Sequence, residues 1–370
     1  MLATDSSFHR AIERLEAILG IHVPLDSSER IEGRLGKSAA LVLDHQPCID
    51  RNTEADILVQ TSDNKGIPMV RPPKQVAEPV GAPVDRKGPI PDKKQMACMA
   101  GIYTVARNIR TAQQIIDALF RVPMVKKEDR VDCQPRNPRY FAAMTKYDPS
   151  GNVIGKTAEE AAQQWMTANT IRRHKTGQPI IVMHDGQKSL WNGAHAYQQD
   201  WNTVEILDLL HVLPRIWSAA KIMKQKEEVE QHVKDQLLLL LTGGVGFVIM
   251  RMKRFANRKG LAKGLREELS RIINYFEMNR SRMKYDEYLA AGYPIATGFI
   301  EGACRHVIKD RMEQSGMRWK EKGAQTMLSL RCIDASELWD VTMEQHRILS
   351  LSKYGRDRKN YCDKFLAMAS

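Results

Sequence analysis

The chain has 370 residues, with 56 Lys and Arg against 44 Asp and Glu, a formal net charge of +12, and 43% hydrophobic but only 6% aromatic residues. That length and apolar content suit a globular chain of roughly two to three domains with a mainly aliphatic core, and exclude a small disulfide-stapled scaffold. The excess of positive charge favours a polyanionic partner such as nucleic acid. The longest apolar run, from Leu237 to Met250, is shorter than the roughly 18 to 20 residues that cross a bilayer, so no membrane partner is expected. Neither a secretory signal nor a transit peptide is legible at the N-terminus, and the six cysteines lie far apart without a CxxC pair. A cytoplasmic protein with reduced thiols and no structural zinc is the expectation.

Apolar residues at three- and four-residue steps predict two helices, one from Phe8 to Leu19 and one over SERIEGRLGKSAALVLDH, in an N-terminal helical segment 1–50. ADILVQTSDNKGIPMV then reads as a hairpin: a strand, a polar DNK turn and a second short strand ending at Val70. The Pro-rich, charged stretch RPPKQVAEPVGAPVDRKGPIPDKKQ reads as a projecting loop, and MACMAGIYTVA as the next strand. RTAQQIIDALF predicts a short helix, KKEDRVDCQPRNPRY an exposed connection, and TAEEAAQQWMTANTIRRH a longer helix capped by Thr157. PIIVMHDG is a buried strand, QKSLWNGAHAYQQ a helix, and VEILDLLHVLPRIWSAAKI a strand that enters a helix near Asp208. Alternation of strand and helix implies parallel pairing. An all-helical, basic insertion is expected at 217–290, whose Leu237–Met250 run reads as its core, with an oligomer interface as the other use of that run. The chain returns to the first domain at 291–350 with a helix from Gly298 to about Met312 and two further helices, and ends in a basic tail of low order at 351–370.

Three acids fall at the C-terminal ends of strands in this reading: Asp63, Asp185 and Asp208. That edge of an α/β sheet is where ligands bind. Asp beside Gly or Asn is also ordinary turn chemistry. The strands leading into Asp63 and Asp185 are expected to pair, which would set two carboxylates side by side and demand a cation; hard oxygen donors select magnesium or manganese. Glu301, early in the GFIEGACRHVIKDRM helix with Thr297 as its expected N-cap, lies off the stripe of Ile300, Cys304, Val307 and Ile308. With Arg305 and Lys309 on its own face it forms either a solvated ion-pair ladder or part of a carboxylate cluster flanked by phosphate contacts.

These segments carry a resemblance. SDNKGIPM around Asp63, MHDGQKSLW around Asp185, ILDLLHVLPRIWSAA around Asp208 and His211, and MKYDEYLAAGYPIATGFIEGACRHVIKDRMEQSGMRWKEKGAQTML around Glu301 resemble bacterial insertion-sequence transposases of the DDE class, in the ISKra-type group related to the Mutator-like transposases. The similarity runs from about Phe8 to about Trp339. It implies an α/β fold with an RNase H-like catalytic core, a mixed sheet flanked by helices, interrupted between residues 51–216 and 291–350 by the helical insertion. It also implies that Asp63, Asp185 and Glu301 hold a divalent metal, magnesium or manganese. Asp208 and His211 match the C-or-D-x-x-H motif of the Mutator-like relatives, and Asp208 is the alternative second metal ligand. Relatives carry a further N-terminal segment, so little preference for transposon ends is expected of the chain as it stands.

The implied activity is metal-dependent cleavage of double-stranded DNA at transposon ends, followed by transfer of the freed 3′-hydroxyl to target DNA. Arg305 and Lys309, with Lys253, Arg254, Arg258 and Lys259 of the insertion, are the expected phosphate contacts. A homo-oligomer on DNA follows from the need to cut two ends together. The competing classes are an RNase H-like endonuclease without strand transfer and a non-catalytic, transposase-derived DNA-binding protein.

Overall fold

A computed structural model describes residues 8–70, 94–122, 133–148, 150–197, 201–314 and 317–369. Most of the Pro-rich stretch after Val70, and the KKEDRVD segment, lie outside them. Two helices open the chain, α1 (Phe8–Leu19) and α2 (Leu25–Asp44). The sheet consists of β1 (Ile57–Pro68), β2 (Lys94–Val105), β3 (Arg136–Met144), β4 (Ile180–His184) and β5 (Thr203–Leu207). Between its strands run α3 (Ala112–Leu119), α4 (Ala158–Arg173) and α5 (Lys188–Ala196). The insertion comprises the distal part of α6 (Leu209–Met223), then α7 (Val229–Leu241), α8 (Val245–Ala256), α9 (Lys263–Met278) and α10 (Tyr285–Ala290). Next comes α11, which begins at Gly298–Ala303, widens into a π-helical stretch over Cys304–Lys309 and ends at Asp310–Met312. The last two helices are α12 (Glu321–Ala335) and α13 (Trp339–Ala369).

The strands form one five-stranded mixed sheet in the order β3-β2-β1-β4-β5. β1 is antiparallel to β2 and parallel to β4, β2 is antiparallel to β3, and β4 is parallel to β5. The fold is therefore α/β, a mixed sheet with helices on both faces. Alternation along the strands separates those faces. Leu58, Cys98, Ala100, Ile180 and Val182 pack with Trp165 of α4 and Trp191 of α5. The opposite face carries two cores. Ile57, Val59, Tyr103 and Ile181 join α6 to α10, whereas Ile67, Ala97 and Met99 join α2, α11 and α12. Asp63 lies between the two.

Several expectations change. No turn occurs at Asp63: β1 runs unbroken from Ile57 to Pro68 and pairs with β2 along its whole length, Asn64 opposite Cys98 and Pro68 opposite Lys94. Residues that favour turns in isolation are held extended because β2 takes up their backbone groups and their side chains find partners. Ser62 meets His184, and the Asn64 amide donates to Glu159 at 3.0 Å. The RNPRY stretch is not a connection but the start of edge strand β3, where Pro138 is tolerated. The C-terminal tail continues α13 as helix to Ala369. Thr157 does cap α4, in a reciprocal capping box with Glu160.

The Leu237–Met250 run is divided by a turn at Gly243 and Gly244, and Leu237, Leu240, Leu241, Val245, Val248 and Ile249 are buried. It is insertion core, shared with the sheet through the first cluster. Among the described residues no helix is long and apolar enough to cross a membrane.

Candidate functional site

The β1–β4 register pairs Thr61 with Met183. Carried two residues further, it sets Asp63 level with Asp185 on neighbouring strands, both on the face that holds the two cores. The ladder itself stops at Thr61. Beyond it the His184 ring enters between the strands, and its Nδ1 accepts from the Ser62 backbone N–H at 3.2 Å. The ring is fully buried and edge-on to Trp191 at 4.9 Å, and burial lowers its pKa to about 4, so it stays neutral. A neutral imidazole thus takes the Ser62 N–H where the ladder ends, just before the two aspartates.

The site's roof is α11. Its first turn approaches the sheet over Gly101, where an added Cβ would meet Phe299 at 3.1 Å and Ile300 at 3.3 Å. Phe299 stacks on Tyr140 at 5.0 Å and lies against Tyr103 at 4.0 Å. Ile300, Cys304, Val307 and Ile308 are buried, as the sequence spacing predicts. That leaves Glu301 on the open side, its side chain 44% exposed and its Oε1 3.5 Å from His211 Nε2 on α6.

Asp208 holds this roof in place. It is 1% exposed and caps α6 by accepting from the Leu210 N–H at 2.8 Å. Its other oxygen accepts from the Thr297 N–H at 3.2 Å and from the Thr297 hydroxyl. Thr297 is therefore not a side-chain cap for α11, as its position suggested; its hydroxyl is committed to Asp208. Burial raises the Asp208 carboxyl pKa, outweighing these hydrogen bonds. With both oxygens engaged, Asp208 fixes α6 and α11 relative to each other.

Asp63 is 5% exposed, and its Oδ2 lacks a hydrogen-bond donor with good geometry while lying 2.8 Å from the Lys65 ammonium in an ion pair. Burial works against the Lys65 charge, but the Asp63 pairing prevails and raises its pKa. The Cys304 thiol lies beside this pair, pushed well up in pKa by burial and then by Asp63. Asp185 is partly exposed, and its Oδ1 accepts from the Gln187 N–H at 2.7 Å.

Helix α9 brings Tyr275 to the same edge. The ring lies so close to Gly186 that an added Cβ would stand 2.0 Å from Cε2. The Arg215 guanidinium covers it at 3.6 Å, and burial raises the phenol pKa to about 12.

The basic residues divide. Arg305 is exposed and pairs with Asp310 at 3.8 Å, not with Glu301, so the ladder suggested by the spacing does not form. Lys309, Arg254 and Lys259 are exposed, Lys253 pairs with Glu277 on α9, and Arg258 lies over the Phe255 ring at 4.6 Å. Lys65, Tyr275 and Arg215 escaped sequence reading. Lys65 was legible in principle, since i and i+2 share one face of a strand, but only once β1 is known to be continuous.

Among the described residues no three His, Cys, Asp or Glu side chains converge closely enough to hold a metal ion. The donor chemistry nevertheless suits a hard divalent cation: a buried carboxylate oxygen without a hydrogen-bond donor on Asp63, a second carboxylate level with it, and a third on the covering helix. Lys65 now supplies the positive charge such a cation would bring. No protein-family model matches this chain, and no curated protein matches it.

Proposed function

We propose that the chain is a DNA transposase with an RNase H-like core, which cleaves DNA strands and transfers the freed end in a metal-dependent reaction. The observation that carries this reading is Asp63 on β1 with Asp185 just past the end of the parallel strand β4, two residues beyond the Thr61–Met183 pair on each side, under a helix that offers Glu301. The strand order β3-β2-β1-β4-β5, with β2 alone antiparallel to the other four strands, supports the RNase H-like reading. Asp63, Asp185 and Glu301 would hold the divalent ion, magnesium or manganese. A bound divalent ion supplies charge neutralisation and an activated water for attack on the phosphodiester.

The chain's own residues then have defined tasks. Asp208, through Thr297, holds α11 so that Glu301 faces the aspartates. His211 restrains Glu301 from the side. Lys65 neutralises Asp63, and with a divalent ion held there it would be free to turn to a phosphate oxygen. Arg305 and Lys309, exposed beyond Glu301 on α11, face outward where a DNA backbone approaches.

The Lys65–Asp63 pair also favours a second reading, a DNA-binding protein whose carboxylates no longer take up metal. A supercoiled plasmid carrying the coding sequence with its flanking DNA separates the two. With magnesium, the first reading expects strand cleavage and joined products, both abolished by Asp63→Asn, Asp185→Asn or Glu301→Gln while DNA affinity stays near wild type. Cleavage without joining would assign an endonuclease, and binding without cleavage the second reading.

A further inference from the structure

A groove of about 1080 Å³ lies beyond the second core, between α2 and residues 317–326 at and before the start of α12. Arg30, Arg34 and Lys37 line one wall at positions i, i+4 and i+7 of α2, a single stripe about 10 Å long at 1.5 Å per residue. Arg318, Lys320 and Lys322 line the other wall. All six are exposed, and among the described residues none of Arg34, Lys37, Lys320 and Lys322 has an ion-pair partner. The acids of the groove, Asp26, Glu29 and Glu32, sit toward the start of α2, so positive charge accumulates toward Lys37. α2 approaches α12 closely at Gly36, where an added Cβ would meet the Thr326 methyl at 2.5 Å, so the two walls are held at a fixed spacing.

We propose that this groove binds the phosphate backbone of duplex DNA, one row of cations on each wall; this rests on the reading of the chain as an enzyme acting on DNA. Two facing rows along about 10 Å match a rod carrying charge at every base-pair step of about 3.4 Å, not a single phosphate. The groove offers no stacking platform, because Trp319 is 8% exposed, lies 4.9 Å from the Arg311 guanidinium and donates its Nε1–H to the Met312 carbonyl. That argues against a single strand, whose binding depends on bases stacking on aromatic faces. The position fits as well. Val70, just beyond β1, lines the groove, and Arg311 at its floor is ten positions after Glu301 on α11, at most about 15 Å at the α-helical rise. This is less than one turn of B-DNA, about 34 Å, so one duplex can lie in the groove and reach the carboxylates.

The test is the salt dependence of binding to a 30-base-pair duplex, followed by fluorescence anisotropy in EDTA so that no chemistry intervenes. The combined variant Arg34→Ala, Lys37→Ala, Lys320→Ala, Lys322→Ala should bind at least tenfold more weakly at low salt. Its slope of log affinity against log salt should be shallower by about 3 to 4, at roughly 0.9 per lost phosphate contact. The four side chains are exposed, so thermal stability should not change. The charge-keeping variant Arg34→Lys, Lys37→Arg, Lys320→Arg, Lys322→Arg should retain the wild-type slope. A combined alanine variant with the wild-type slope overturns the groove but leaves the proposed enzyme standing. A wild-type chain that fails to bind duplex at low salt overturns both. Tighter binding of a single strand of equal length, lost in the same variant, overturns the duplex assignment.

Discussion

Removing the Asp208 carboxylate should destabilise the protein before it alters any metal chemistry. In Asp208→Ala, α6 loses its cap, which costs about 1 kcal/mol. The Thr297 N–H and hydroxyl, on a residue 2% exposed, lose their acceptor as well. An orphaned buried donor costs about 1–3 kcal/mol, and the hydroxyl can turn to a new partner where the N–H cannot. The expected total is about 3 kcal/mol, or roughly a 5 °C fall in Tm for a chain of this size. Asp208→Asn keeps the bond to the Leu210 N–H but turns an amide NH2 toward the Thr297 donors, so it should retain the cap and lose about half as much. Thr297→Val combined with Asp208→Ala should cost less than the two changes added together, since each removes part of the same contact. Denaturant unfolding without metal, and thermal melts with and without magnesium, measure all of this. Cleavage should fall more in Asp208→Ala than in His211→Ala, because the first releases the helix that carries Glu301 and the second removes only a lateral contact. An Asp208→Ala protein that keeps its metal-free stability but no longer gains stability from magnesium would refute the argument and make Asp208 a ligand.

Replacing Lys65 with Met should free Asp63 for a divalent ion, so magnesium should raise Tm at lower concentrations than in wild type; weaker binding would show instead that Lys65 helps to assemble the site. Gly186→Ala places a methyl against the Tyr275 ring and should cost about 1–3 kcal/mol, relieved by Tyr275→Ala in the same chain; the absence of relief would mean that the strain lies in the backbone. Burial raises the Glu32 carboxyl pKa to about 7 against 4.5 in an unfolded chain, so its contribution to stability is present below pH 4.5 and is lost as pH rises through 7. Glu32→Gln should therefore flatten the pH dependence of unfolding by up to about 3 kcal/mol over that interval, and an unchanged profile would exclude Glu32 as its source.

Where apolar periodicity and capping agree, the elements were legible: α4 with its capping box, β4 as an unbroken buried strand, and α11 from Gly298 to Met312 with its buried stripe. Asp185 and Asp208 at strand ends could be found the same way. The misreading of β1 has a physical cause. Asp63, Asn64, Lys65 and Gly66 carry local preferences for a turn, and only the distant strand β2, with His184 and Glu159, supplies the partners that hold them extended. Non-local pairing overrides local preference, and a sequence window does not contain it. Thr297 failed similarly, since its hydroxyl had a stronger acceptor in a buried carboxylate 89 residues away. Tyr275 carried no signal at all, because its role depends on an insertion helix folding back over Gly186.

The site lies where the packing of this face changes hands. One core couples β1, β2 and β4 to the insertion, and the other couples the far half of β1 and β2 to α2, α11 and α12. At the junction the sheet presents Gly101 and Asp63, neither of which adds an apolar side chain there. A buried carboxylate is costly unless compensated, so this polar seam needs a reason to persist. The Thr297 and Leu210 donors compensate Asp208, whereas Asp63 relies on the Lys65 ion pair at an Oδ2 that has no well-directed donor. Each core fixes one wall of the seam: the insertion brings Tyr275, covered by Arg215 of α6, against Gly186 beside Asp185, and the second core brings α11 with Glu301. Movement of the α11 wall would change the distance of Glu301 from the aspartates without unfolding the sheet. A divalent ion bound by all three would link the two cores through the seam, which makes metal-induced stabilisation and the closing of Glu301 onto the aspartates two readouts of one event.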